Sequence, residues 1–301
     1  MKAAPFAYVR PSSLSDAIAE LASTGGGGKV IAGGQSLVPV LAMRLARPET
    51  LVDINAVAEL DRFGTADGYL EIGATVRQRR VERDPVSATV PLLGMALPWV
   101  GHRELRSRGT VCGSLAHADP AAELPAVACC LNAELTVTGT GGARRVPARE
   151  FFSGAMTTAL GPEDILTAVR FPVAGKGEGF GFAEIARRHG DFALAGVVAR
   201  VRVRGTETDA QLTGFGVSDR PVTRSAAGEL AAALRESGGE VSRLPGALSD
   251  PLTALAEELV DTDGDAHASR DYRRRLFRTL ASRELSKAYE RARRSAGEVD
   301  S

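Results

Sequence analysis

The chain has 301 residues, 44% of them hydrophobic and 25% charged, and its 37 basic and 37 acidic side chains leave no formal net charge. That length gives two or three domains, each able to bury a core without disulfides or metals as staples. Charge balance argues against a general nucleic-acid binder, which carries a basic excess. No apolar stretch approaches the roughly 18 residues a transmembrane helix needs, and the N-terminus has no apolar core before Pro11 to serve as a signal peptide.

The three cysteines are Cys112, Cys129 and Cys130, an odd count with an adjacent pair and no CxxC. They make a poor disulfide framework and no zinc or iron–sulfur site, so a reduced, cytoplasmic protein is expected. The four histidines are scattered and none forms an HExxH. Only Lys2, Lys29, Lys176 and Lys287 are lysines, an imbalance that reads as coding bias rather than phosphate recognition.

The first 55 residues alternate between strand and helix. Ser13 precedes a helix with apolar residues at Leu14, Ala17, Ile18 and Leu21, and Asp16 lies three residues on, as in a capping box. Gly25–Gly28 break that helix. Val30 and Ile31 start a short buried strand, which ends at Gly33-Gly34 and leads into a helix over about 37–45; residues 51–54 are another strand. Beyond residue 56, Tyr69–Ile72 reads as a strand, 75–82 and 92–99 as helices, 110–118 as an irregular small-residue stretch, and 123–131 as a helix after Pro120. Residues 134–140 and 144–146 flank Gly141-Gly142 as a hairpin, and 165–171 is a strand.

The Pro/Gly-rich run at 172–178 is the main expected boundary. Three β-rich runs follow, at 180–186, 193–203 and 210–217, and then helices at 226–236, 252–260 and 270–294. The expected division is therefore 1–55, 56–174 and 175–294, with a frayed tail over 295–301.

Two glycine-bearing stretches are candidate binding loops. The first, Val30-Ile31-Ala32-Gly33-Gly34-Gln35-Ser36-Leu37, is a strand, a tight turn and a helix start. Glycines let backbone approach a phosphate, and free helix N–H groups can bind it; the same pattern also serves as a plain turn. No GxGxxG follows the strand and Gly28-Lys29 is not followed by Ser or Thr, so neither a Rossmann site nor a Walker A loop is indicated. The second, Arg108 to Glu123, mixes small residues and hydroxyls; it reads either as a wrap around an extended polar ligand or as an irregular connection.

Taken together, AGGQSL at 32–37, RSRGTVCGSLAHADPAAELPA at 106–126 and GFAEIARRHGDFALAG at 181–196 resemble the FAD-binding medium subunit of molybdenum hydroxylases, the family of the carbon monoxide dehydrogenase medium subunit and the xanthine dehydrogenase flavin domain. The resemblance covers nearly the whole chain. It implies an α+β fold: a p-cresol-methylhydroxylase-like two-subdomain FAD-binding fold plus a C-terminal domain of antiparallel strands and helices covering the flavin. It implies non-covalent FAD, with Val30, Ile31, Ala32, Gly33, Gly34, Gln35, Ser36 and Leu37 on the pyrophosphate, and Thr110, Val111, Cys112, Gly113 and Ser114 on the pyrophosphate and ribityl side. Glu123 would reach the adenosine part, Leu166 would flank the ring system, and Trp99 or Val100 would pack near the adenine, while His117 reads either as a flavin neighbour or as a hydrogen-bonded loop histidine.

Cys112 replaces the first glycine of the TIGGN or TVGGS form of the second loop, and Glu123 stands where the family usually has Asp. A Cβ at 112 would crowd a phosphate if that residue needed φ > 0. The resemblance further implies two partners, a large molybdopterin-binding subunit and a small [2Fe–2S] subunit, with electrons passing from the clusters to FAD here and on to an external acceptor. A stand-alone FAD oxidase acting directly on a small molecule is the competing function, and an assembly subunit that has lost FAD is a third. No acid or base is assigned.

The remaining motifs read two ways or as structure. Arg187, Arg188, His189 and Asp191 are either an approach to the isoalloxazine or a solvated strand end with an Arg–Asp pair. Cys129-Cys130 reads as helix core, and Arg273–Arg275 as a helix face or subunit contact.

Overall fold

The computed structural model describes residues 2–297, which form two compact units; residues 298–301, the bulk of the expected frayed tail, lie outside it. The first unit comprises the chain up to Ala88 with His102–Ala118 and Ala133–Pro172, and the second Thr89–Gly101, Asp119–Asn132 and the chain from Val173 onward.

In the first unit, β1 (Ala7–Val9), β2 (Gly28–Ile31) and β3 (Thr50–Asp53) form a parallel sheet in the order β1-β3-β2. Parallel neighbours need crossover connections, here through helices Leu14–Ser23 and Leu37–Ala42. The first of these starts where expected: Ser13 Oγ accepts the Asp16 N–H at 3.1 Å, and Ala17 and Leu21 face the core. The second stops at Ala42, short of the expected 45, and gives way to a turn with Arg44 at φ 59°.

Next come β4 (Phe63–Ala66) and β5 (Tyr69–Gly73), joined by a two-residue turn in which Asp67 and Gly68 both have positive φ. That geometry matches the right-handed twist of a hairpin. The expected hairpin is β6 (Glu134–Gly139) and β7 (Gly142–Pro147); β8 (Phe152–Gly154) and β9 (Thr157–Thr158) make a small ribbon, and β10 (Ile165–Pro172) closes the unit. The antiparallel sheet runs β4-β5-β10-β6-β7. Its central strand is β10, with Ile165, Leu166, Val169 and Phe171 buried.

The second unit is built on β11 (Glu178–Ala186), β12 (Ala193–Arg204), β13 (Glu207–Phe215) and β14 (Val222–Ser225), an antiparallel sheet in chain order. The 27-residue helix Arg270–Ala296 lies directly on β11: a Cβ at Gly179 or Gly181 would collide with its Ala288 or Glu284 carbonyl. Helix Glu123–Leu131 packs against β12 and β13 with all nine residues buried, as an almost wholly apolar helix must.

Several elements were not expected. Strands β4 and β14 and helix Arg103–Arg108 lack an apolar period. The stretch 110–118, read as irregular, is the helix Val111–His117, capped by Thr110. Thr75 lies in a turn and Arg77 is extended, bridging Thr110, before a helix over Gln78–Arg83. Among the described residues no helix is long and apolar enough to cross a membrane.

Candidate functional site

The two glycine-bearing stretches meet inside the first unit. Val30 and Ile31 end β2, Ala32 to Ser36 form the turn, and Leu37 opens the following helix. Gly34 has φ +72°, which favours glycine, and the Gln35 amide donates to the Gly33 carbonyl at 3.2 Å. A side chain at Gly33 would strike the Arg108 carbonyl and come within 2.8 Å of Gly109 Cα. The two backbones are therefore in direct contact at Gly33 and Gly109. Among the described residues none accepts a hydrogen bond from the N–H of Gly33, Gly34, Gln35 or Ser36. Consecutive unpaired N–H groups on a turn that begins with two glycines are the donor set that suits a phosphate, so the residues present fit a nucleotide pyrophosphate.

On the second stretch, Thr110 Oγ1 accepts the Gly113 N–H at 2.9 Å and starts the helix Val111–His117. Cys112 therefore has helical rather than positive φ, and its side chain points into the core, 2% exposed, with Sγ 3.5 Å from the Ile72 carbonyl. The positive φ on which the crowding of a phosphate by its Cβ depended is absent. Burial pushes the Cys112 thiol well above its usual range, so it stays protonated. Gly113 and Ser114 are part-exposed on the helix's first turns, and His117 ends it before Ala118, at φ 53°. Helix Val111–His117 packs against β10, the strand that carries Leu166 beside a bulge.

Three residues that sequence reasoning missed hold this arrangement. Asn55 reaches Ala32 from 23 residues away, Arg77 reaches Arg108 from 31, and the Gln78 N–H donates to the Gly109 carbonyl at 2.8 Å. Only the Asp53-x-Asn55 spacing after a strand hints at any of them. Asp53 accepts from Tyr8 Oη, from the Asn55 N–H at 3.0 Å and from its side-chain amide. Burial pushes the Asp53 carboxyl up, but these hydrogen bonds and Arg10 outweigh it and hold the group below its ordinary range.

Val100 and Glu123 lie in the second unit, both buried at 7% exposure, with Glu123 the first residue of its helix. In that unit Trp99 stacks on His189, with ring centroids 5.4 Å apart, and leans on Phe182. Arg187 turns to the His267 ring at 3.2 Å. Cys129 and Cys130 are buried core, as expected, and Arg273 is buried too, donating to the Leu194 and Gly216 carbonyls at 2.6 Å. Among the described residues no group of three or more His, Cys, Asp or Glu could hold a metal ion.

Comparison with known proteins extends over the whole chain. Residues 4–174 match the family model described as the FAD binding domain in molybdopterin dehydrogenase, and residues 180–288 match the CO dehydrogenase flavoprotein C-terminal domain. The chain is 35% identical over 307 residues to the 6-hydroxypseudooxynicotine dehydrogenase complex subunit alpha of Paenarthrobacter nicotinovorans, covering 100% of both. It is 31% identical over 290 residues to the carbon monoxide dehydrogenase medium chain of Afipia carboxidovorans, covering 96% of this chain and 98% of that one. Among solved structures, that of quinoline 2-oxidoreductase from Pseudomonas putida 86 superposes with a TM-score of 0.84 at 34% identity, covering 97% of this chain and 99% of the other.

Proposed function

Because the chain belongs to the family of FAD-binding medium subunits of molybdopterin dehydrogenases, with FAD as its cofactor and oxidoreduction as its chemistry, we propose that it is the electron-transfer subunit of a molybdenum hydroxylase complex. In this reading electrons come from [2Fe–2S] clusters on a small partner subunit and leave to an external acceptor. Substrate is oxidised at molybdopterin on a large partner subunit, giving a heterotrimer of three different chains. Bound FAD supplies the exchange between single electrons and electron pairs. Three buried cysteine thiols fit a reducing, cytoplasmic setting.

The residues that would hold FAD in the first unit are Val30 to Leu37 and Thr110 to Ser114, with His117 and Leu166 beside them. Their contribution is position: glycines that admit close backbone approach, and N–H donors fixed before a ligand arrives. One observation carries the reading, the contact of the two turns at Gly33 and Gly109 with four consecutive N–H groups left without protein partners.

The test is an absorption spectrum of the purified chain with added FAD, before and after dithionite, together with metal analysis of the complex from native extract. Retained flavin bands that bleach on reduction, with molybdenum and iron in the complex, are expected. A flavin-loaded chain that oxidises a small molecule alone, with no molybdenum or iron partner, would overturn the assignment.

A further inference from the structure

The two turns are tied together by side chains. Arg77 donates through Nη1 to the Arg108 carbonyl at 2.6 Å and through Nη2 to Asn55 Oδ1 at 2.7 Å. Asn55 donates from Nδ2 to the Ala32 carbonyl at 2.8 Å. Each of these carbonyls belongs to the residue just before a contact glycine, Gly33 or Gly109. Among the described residues no peptide bond is cis, and in a trans peptide the carbonyl and the following N–H point to opposite edges. Holding the Ala32 carbonyl therefore sets the direction of the Gly33 N–H, the first of the four unpaired donors. Asn55 is itself anchored, because its own N–H and amide both donate to Asp53, which also accepts from Tyr8.

We propose that Arg77 and Asn55 are positioning residues that lock the two glycine turns into one register and thereby aim the free N–H groups at the pyrophosphate of FAD. The proposal rests on the assignment of these turns to FAD. Arginine is suited to the role because its planar fork serves two acceptors at once, whereas a lysine at 77 would keep the charge but lose the fork. Neither residue needs to touch the cofactor.

The test uses the full-length chain stripped of flavin and titrated with FAD by fluorescence quenching. The variants are Arg77→Met, Arg77→Lys, Asn55→Ala and the double variant Asn55→Ala/Arg77→Met, each with its apo unfolding temperature measured. FAD affinity is expected to fall about tenfold in every single variant, the equivalent of one charge-assisted hydrogen bond, with lysine failing to restore it. The double variant is expected to lose no more than the worse single, because both cut one chain of bonds. Unchanged affinity with a lowered unfolding temperature would make the pair fold glue and overturn the proposal, as would full rescue by lysine or losses that multiply. Should Asn55→Ala fail to fold, Asn55→Ser shortens the side chain away from Ala32 and Arg77 without setting a second carboxylate against Asp53, and is expected to show the same loss. A wild-type chain that binds no FAD overturns the flavin assignment itself, and the first titration distinguishes that result from a failure of the positioning pair alone.

Discussion

The carboxyl group of Glu184 is buried beside that of Glu123, and among the described residues neither Glu184 oxygen has a hydrogen-bond partner. Burial, reinforced by the Glu123 charge, pushes Glu184 up to about 8 from an ordinary 4.5. The folded chain thus keeps a proton that the unfolded chain sheds above about pH 4.5, so this group's contribution to stability falls as pH rises from there to about 8. Glu184→Gln is expected to be more stable than wild type at pH 8, on the order of 3 kcal/mol or roughly 5 °C, and equal to it near pH 4.5. Thermal unfolding across that range, wild type against variant, checks it.

Gly33→Ala puts a methyl group against the Arg108 carbonyl and Gly109, both backbone. Neither can yield without parting the two turns. The variant is expected to lose about 2 kcal/mol of stability and at least tenfold in FAD affinity. Calorimetry and flavin titration read the two effects separately.

Cys112 is buried, with its thiol held protonated. Its thiol is expected to be silent to thiol reagents in the folded chain and to react only on unfolding, together with Cys129 and Cys130. Cys112→Gly is expected to cost about 1–2 kcal/mol, from helix propensity and lost burial, while FAD affinity stays within about twofold. A thiol count with and without denaturant, and a titration of the variant, test both halves.

Arg106 grips Glu82 with two bonds of 3.0 Å, and Arg79 adds a third at 2.8 Å. Burial opposes the Glu82 charge, but these bonds outweigh it and lower the carboxyl below its usual range. The stability they supply is present above about pH 4.5 and lost as pH falls through the lowered value. Arg106→Met is expected to cost about 3 kcal/mol at pH 7, because Glu82 stays mostly buried at 16% side-chain exposure. The deficit is expected to shrink below pH 4, which denaturant melts at the two pH values would show.

The sequence was informative wherever a local pattern decides the structure. Helix Glu123–Leu131, the Gly141-Gly142 hairpin and the cap at Ser13 were all readable, because apolar runs, turn glycines and hydroxyl caps act within a few residues. It was less informative where the deciding partner is distant. Helix Arg103–Arg108 has no apolar stripe, and it buries Arg106 against Glu82, twenty-four residues away. The stretch after Thr110 looked irregular because its small residues hide a helix whose buried face is Val111, Cys112 and Leu115. Of the site, the two turns were legible as glycine patterns. The Arg77–Asn55 link was not, since nothing local distinguishes that arginine from the many others. The charged run at 187–191 reads from sequence either as an approach to the isoalloxazine or as a solvated strand end with an Arg–Asp pair, and neither reading contains the stacking of His189 on Trp99 or the contact of Arg187 with His267, pairings set by the tertiary fold.

The polypeptide changes unit after residues 88, 101, 118, 132 and 172, so the apolar helix Glu123–Leu131 folds with strands encoded some seventy residues later. Neither unit can then be released by a single cut. A fragment ending near residue 174, where the first family match stops, carries that helix without the sheet that shields it, and is expected to aggregate when expressed by itself. A protease nicking the 172–178 link would leave two pieces that stay associated. The two family segments are thus separable as stretches of gene but not as folded parts, and recombination could exchange them between relatives only as a matched pair.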